Sequence, residues 1–328
     1  MSETYKALGA DVRQQIDSAE KILIVSHQFP DFDAIGSSLA LQIALESMGK
    51  EVLTWSAGMS PAPFLFLPKS ETIQTTVPES YDFDTLFVLD STDLGRVDSI
   101  DVLPISENVR VINIDHHVDN THFGDLNIVM TISSVGELLS HLFDAMAIPI
   151  STDMATCLYA AICFDTGRFA HSNVTAETMS ACARLIQKGA QPSKIVQEME
   201  ETKTSDDFEC LRKGLSRLII RDTLAFTSLP RSSTKSAIKL VDYLRLLKTP
   251  DTFIVFQELS GKRVKINLRT RTAFNLSEFA ARFGGGGHKK ASGILYKGLL
   301  DPTIQKITRA LEEALRQFYT HDTENRDN

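Results

Sequence analysis

Residues 21–26 (KILIVS) form a short, β-branched apolar run that breaks at HQFPDFD. The chain then continues as AIGSSLALQIALESMGK, whose apolar positions recur at helical spacing and stop at Gly49. This pattern predicts strand, loop, helix. The theme returns in EVLTWS, in TLFVLDS and in VRVINIDHH, buried strands whose carboxyl-terminal ends carry acids or histidines. The helical patterns SSVGELLSHLFDAM and DMATCLYAAICFDTGRF lie between and after them. Such alternation predicts an α/β fold, a parallel sheet with helices on both faces. In sheets of this kind the ligand site lies beyond the carboxyl ends of the strands.

Residues 170–215 read as several helices, AETMSACARLIQKG, PSKIVQEMEE and DDFECLRKGLSRL, and the chain then turns strand-rich. LAFTSLP, TFIVFQELS and RVKINLRT are strand-like, the last two forming a hairpin around Ser260-Gly261, with STKSAIKLVDYLRLLK as a helix between. LSEFAARF, a four-glycine run and the amphipathic helix PTIQKITRALEEALRQFY follow, and the polar end HDTENRDN is expected to fray. The organisation expected is a first domain over 1–200, a linker over 201–225 and a smaller α+β domain over 226–320.

Composition narrows the function. A formal charge of −8, with no long Lys or Arg run, lacks the electrostatic footprint of a protein that grips long duplex nucleic acid. A small anionic substrate stays open, provided metal ions or a few local cations reverse the sign at the site. Cys157, Cys163, Cys182 and Cys210 form no CxxC pair and read as packing residues of a reducing compartment. With no signal-peptide pattern and no apolar stretch near ~20 residues, the expectation is a soluble, cytoplasmic protein without membrane contact.

The chemistry gathers at strand ends. His27, Asp31 and Asp33 stand in H-x-x-x-D-x-D between a buried strand and a helix, a nitrogen and oxygen mixture suited to hard divalent cations; a helix cap plus a turn is the plainer reading. Asp90 ends TLFVLD, either as a ligand or as an exposed turn acid. Asp115-His116-His117 closes the strand VRVINI. In extended backbone one of those imidazoles can take metal while the other faces substrate, with Asp115 orienting a ring; a solvated polar turn is the alternative. Asp165 is a ligand or a salt-bridge partner of Arg168. Gly284–Gly287, followed by His288, Lys289 and Lys290, lets backbone amides approach an anion, where a flexible linker would be the bland reading. Arg269 is a candidate phosphate clamp, and Phe32 a candidate for stacking on a base.

Taken in order, H27-x-x-P30-D31-x-D33-A-I-G36-S37, V-L-D90, D115-H116-H117, D165-T-G and G-G-G-G-H288 resemble the DHH phosphoesterase family with its DHH-associated C-terminal domain, over about residues 20–295. The length and the tail GGGGHKKASG resemble its nanoRNase and pAp-phosphatase branch. The resemblance implies two Mn²⁺ ions, with Mg²⁺ or Co²⁺ as substitutes, in a cleft between the domains. His27, Asp31 and Asp90 would surround one ion, and Asp33, Asp90, His116 and Asp165 the other, with Asp90 as the bridge. His117 would face the scissile phosphate, and Asp115 would support the histidines. Arg269, Gly286, Gly287, His288, Arg96, Asn120 and Ser134 occupy places where relatives touch substrate.

The activity implied is metal-assisted hydrolysis of short oligoribonucleotides to mononucleotides and of pAp to AMP. Its partners would be short single-stranded RNA or small nucleotide phosphates, and a homodimer follows by analogy. A cyclic or linear dinucleotide phosphodiesterase of the same family shares every ligand named. A non-catalytic nucleotide sensor would be expected to lack one. A haloacid-dehalogenase-type phosphatase would use Asp31 or Asp33 as a nucleophile but gives the paired histidines no task.

Overall fold

The structure, a computed structural model, describes residues 3–57, 59–76, 82–103, 105–201, 204–231 and 237–324. The chain divides into two compact units, Met1–Thr202 and Lys203–Asn328.

The first unit runs α1 (Glu3–Ser18), β1 (Lys21–Ser26), α2 (Phe32–Ser47), β2 (Glu51–Thr54), β3 (Thr85–Leu89), β4 (Arg110–Asp115), β5 (Leu126–Val129), α3 (Val135–Ala145), α4 (Thr152–Asp165), α5 (Ala176–Gln187) and α6 (Pro192–Glu200). Its strands lie in the order β2-β1-β3-β4-β5 and every pairing is parallel. All carboxyl ends therefore share one edge, and the strand order reverses between β1 and β3, the place where open parallel sheets leave a crevice for ligand. His27 follows β1, Asp90 follows β3 and Asp115 ends β4. Those three strands are neighbours, so motifs far apart in sequence come within about 10 Å of one another.

Alternation along the strands sorts the core. Ile22, Ile24, Phe87, Leu89, Ile112 and Ile114 pack against the α-helices on one face. Leu23, Val25, Leu86 and Val88 meet Trp55, Phe83, Val97 and Leu103 on the other. Helical cover is thus unequal: the second face is closed by loops and short 3-10 turns at Leu94–Arg96 and Ile100–Val102. The helix α2 is buried along most of its length and lies directly on α4. A Cβ at Gly36 would stand 2.6 Å from the Cys157 carbonyl oxygen, and one at Gly136 would stand 2.5 Å from the Ala161 Cβ, so both contacts depend on glycine.

The second unit contains α7 (Ser205–Leu215), β6 (Ile219–Ile220), β7 (Leu224–Leu229), α8 (Ala237–Leu244), β8 (Thr252–Leu259), β9 (Arg263–Thr270), α9 (Leu276–Ala281), β10 (Gly286–His288), β11 (Ala291–Lys297) and α10 (Leu300–Glu324). Its mixed sheet has the order β10-β11-β9-β8-β7-β6, with only β7 and β8 parallel among the described residues. One face buries Ile254, Phe256, Ile266 and Leu268 with residues of α9 and α10. The other packs Phe253 and Val255 with Leu240 and Val241 of α8. Of the segment 201–225, expected to be a linker, residues 204–225 carry α7, β6 and the start of β7 and are grouped with this unit, Glu201 is grouped with the first, and Thr202 and Lys203 lie outside the described residues. The expected helix beginning at Ser233 is described from Ala237 onward. Of the end expected to fray, residues 321–324 continue α10 and the rest lie outside the description.

Candidate metal centre

The loop after β1 is pinned at both ends. The Gln28 amide donates to the Arg96 carbonyl at 2.7 Å, and Asp31 caps α2, its Oδ1 accepting from the amides of Asp33 (2.9 Å) and Ala34 (3.1 Å). The capping reading of Asp31 is therefore correct, and it leaves Oδ2 available, so cap and ligand are compatible. His27 Nδ1 lies 2.8 Å from the Gln28 carbonyl, which turns Nε2 toward Asp90 Oδ2 at 3.4 Å.

Asp90 sits beyond β3 with φ of +56°, is almost wholly buried, and its Oδ1 has no hydrogen-bond partner among the described residues. His116 Nε2 lies 3.4 Å from that oxygen and His117 Nδ1 3.6 Å from it. His116 Nε2 also lies 3.2 Å from Asp165 Oδ2 and 3.8 Å from Asp33 Oδ2. Donor atoms of His27, Asp31 and Asp90 fall within 4.8 Å of one another, as do those of Asp33, His116 and Asp165. Coordination requires such convergence, and a buried carboxylate oxygen with no partner is costly unless a cation meets it. The residues fit a centre for divalent cations.

Proton affinities point the same way. Burial disfavours charged His27, yet Asp90 outweighs it and lifts the imidazole to about 9. His116 rises to about 10 against the same penalty, through Asp90, Asp33 and Asp165. Burial, then repulsion from Asp90, raises Asp165 to about 7 and holds Asp33 well above the carboxylate range. Asp90 itself is held low despite its burial by the His116 and His27 imidazoles. Protons thus neutralise a cluster that cations would otherwise neutralise. Below about 9 both imidazoles are protonated in the metal-free protein, and a ligating imidazole must be neutral, so protons compete with metal. Cation binding at neutral pH is expected to release protons and to weaken as pH falls. Calorimetric titrations in buffers of different ionisation enthalpy measure this; equal affinities at pH 6 and pH 8 would contradict it.

The fully buried Asp115 holds the histidines. Its Oδ1 accepts from His117 Nδ1 and the His116 amide, both at 2.8 Å, and its Oδ2 from Asn120 Nδ2 at 2.6 Å. His117 therefore turns its Nε2 edge away from Asp115, on a side chain that is partly open to solvent.

Residues 21–162 match the family model for the DHH family, N-terminal domain, and residues 223–319 match the DHHA1 domain. The bifunctional oligoribonuclease and PAP phosphatase NrnA of Thermus thermophilus is 32% identical over 301 residues, which cover 90% of each chain. This chain belongs to the DHH family. The crystal structure of an exopolyphosphatase-related protein from Bacteroides fragilis matches with a TM-score of 0.86 at 27% identity, over 95% of this chain and 96% of that one. Exonuclease RecJ bound to manganese shares the fold, with a TM-score of 0.54 at 13% identity over 95% and 94% of the two chains.

In this DHH chain the expected substrate contacts divide. Arg96 is exposed in the 3-10 turn that pins the His27 loop, its Nη1 3.2 Å from Thr92 Oγ1. Asn120 is not a free contact: its amide nitrogen serves Asp115 and the Ser91 carbonyl, and its oxygen accepts from Asn113 and the His122 amide. Ser134 is buried as the N-cap of α3, bonded to the Glu137 amide at 3.0 Å. Phe32 is also corrected, since its ring packs among Phe64, Phe66 and Phe164 and is closed to a base. Arg168 pairs with Glu200, which leaves Asp165 to the cluster.

In the DHHA1 unit, Arg269 pairs across the sheet with Ala291, and Ala291 with His288. Directly opposed residues point to the same face, so the guanidinium and imidazole rise from one side of three adjacent strands. Gly286 has open space around it, and Gly287 adopts φ of +133°. The glycine run is therefore part of a strand pair and not a linker.

Sequence reasoning missed the device that holds one ligand set. His116 Nδ1 meets the Ile132 carbonyl at 3.2 Å; the Val135 and Gly136 amides donate to Asp33 at 2.8 and 2.9 Å; and Asn173 Nδ2 donates to both the Ser133 and Asp165 carbonyls, at 3.1 and 3.2 Å. Residues 132–136 thus touch all three members of that set, directly or through Asn173. Glu137, wholly buried, accepts from Ser133 Oγ and from Thr178 Oγ1, and His141 stands 3.7 Å away. The visible signal was Ser134-x-x-Glu137, the signature of a helix start.

Proposed function

We propose that this chain is a manganese-dependent phosphoesterase that cuts short oligoribonucleotides to mononucleotides and pAp to AMP, in the cytoplasm and as a homodimer. The observation that carries the reading is the bare, buried Asp90 oxygen facing His116 and His117, with carboxylates of two strand loops and a helix end around it. The curated relative named as an oligoribonuclease and PAP phosphatase supports the substrate class, since the match spans 90% of both chains. RecJ bound to manganese supports the choice of ion.

His27, Asp31 and Asp90 would hold one cation, and Asp33, His116 and Asp165, sharing Asp90, the other. When bound, paired divalent cations would make water a competent nucleophile and neutralise the phosphate oxygens. The chain supplies the rest. Asp115 fixes the His117 ring through Nδ1 and raises its proton affinity, so Nε2–H is set to protonate the departing oxygen. Arg269 and His288, on their shared face, take a terminal phosphate of the substrate, with Gly286 keeping the floor of that face free of side chains and Gly287 letting the backbone of β10 and β11 close up beneath it.

Incubation of the purified protein with Mn²⁺ and RNA of two to five nucleotides is expected to yield mononucleotides, with pAp converted to AMP. Binding without cleavage would instead indicate a sensor, and preferential turnover of cyclic di-AMP would move the chain to the dinucleotide phosphodiesterases. Arg269→Ala is expected to lower kcat/KM on dinucleotide RNA about tenfold and to flatten the preference over longer RNA. An unchanged length profile would remove the clamp.

A further inference from the structure

Phe29 lies between the candidate ligands His27 and Asp31 and is 88% exposed, with φ of +57°. Bulky residues avoid the left-handed region, and a large aromatic in water forgoes burial, so the position is unfavourable twice over. Looseness does not explain it. The chain is fixed on one side by the Gln28 amide on the Arg96 carbonyl and on the other by the Asp31 cap of α2. Strain held by rigid surroundings is a mark of functional loops.

Beside Phe29 opens a pocket of about 350 Å³, walled by Phe29, Pro30, Met59, Pro63 and Phe64 together with Ala57, and with Ser60 and Asp98 as its polar members. Its volume falls in the range of small-molecule sites and its walls are mainly apolar. Phe64 joins it to the core through an edge contact on Phe32, with ring centroids 4.9 Å apart. A flat apolar heterocycle fits such walls, and the substrate class proposed above carries one next to each phosphate.

We infer that Phe29 and this pocket form a nucleobase subsite in which a base of the substrate stacks on the Phe29 ring while the adjoining phosphate lies at the His27, Asp31 and Asp90 set. The inference rests on the proposed oligoribonucleotide activity and adds to it a base contact within the first unit. Stacking of this kind tolerates any base, because every base has a π-face.

The probes are AMP and ribose 5-phosphate, which share the phosphorylated ribose, the second carrying an anomeric hydroxyl in place of the base, titrated calorimetrically into manganese-loaded protein. The parent is expected to bind AMP about tenfold more tightly than ribose 5-phosphate. Phe29→Ala erases that difference and raises KM for the RNA dinucleotide ApA by a similar factor; Phe29→Trp keeps both near the parent values. An AMP preference that survives Phe29→Ala overturns the subsite. A fall in sedimentation coefficient in Phe29→Ala with the preference intact overturns it too, by assigning the ring to contact with a second copy. Cleavage of ApA by the parent separates the cases: if it is present, only the subsite is lost, and if it is absent, the proposed function fails and the subsite with it.

Discussion

Asp90→Ala is expected to reduce phosphoester hydrolysis with Mn²⁺ by at least about a thousandfold, because on the proposed reading one carboxylate, which lies 3.4 Å from both His27 and His116, would serve both cations. Of the two oxygens it removes, Oδ1 makes no hydrogen bond among the described residues and Oδ2 faces His27 Nε2 at 3.4 Å, and a far-UV circular dichroism spectrum matching the parent's checks that the fold is kept. Calorimetry should show fewer cations bound per chain. Asp90→Asn separates charge from shape: it keeps the volume, loses the anion, and should be nearly as inactive. Turnover within tenfold of the parent in either variant would refute the shared position of Asp90.

Glu137→Leu should weaken one cation site by ten- to a hundredfold, the usual range for partners that orient ligands, and leave the other near its parent affinity. Glu137 anchors Ser133, and residues 132–136 hold Asp33, His116 and Asp165, while none of their hydrogen bonds reaches His27 or Asp31. Removing the carboxylate also strands the Ser133 and Thr178 hydroxyls, at about 1–3 kcal/mol of stability. Glu137→Gln keeps an acceptor in place and should recover most of the affinity. A two-site titration in which both sites weaken together would contradict this division.

The candidate ligands were legible because each sits where a strong periodic signal breaks: His27 after KILIVS, Asp90 after TLFVL, Asp115 and His116 at the end of VRVINI. Parallel pairing then made those breaks adjacent. What holds the ligands was not legible. The Ile132 carbonyl and the Val135 and Gly136 amides are backbone groups with no sequence signature, and Asn173 joins two carbonyls 32 positions apart, at Ser133 and Asp165. In the loop HQFPDFD no periodicity tells which aromatic turns inward. Phe32 starts α2 and is drawn into the core, whereas Phe29 lies ahead of the cap and is left outside. Asn120 and Ser134 carry scaffold hydrogen bonds that their positions beside the site did not announce, to Asp115 and Ser91 and to the Glu137 amide. The N-terminal helix α1 and the edge strand β5 also escaped, the first because its apolar positions are few and the second because it is short.

Gly136 against Ala161 and Gly36 against Cys157 give a reason to look for functional variants far from the chemistry. Asp33 precedes Gly36 by about one helical turn, and Asp165 follows Ala161 by about one. The gap between these two acids is therefore gauged by how closely two helix backbones approach, to a tolerance smaller than a methyl group. A single methyl inserted at Gly36 would act as a wedge between α2 and α4 and widen the pincer, and one at Gly136 would press α3, whose first amides hold Asp33, away from α4, each altering which ion radius the pair accepts while every acid and imidazole stayed in the sequence.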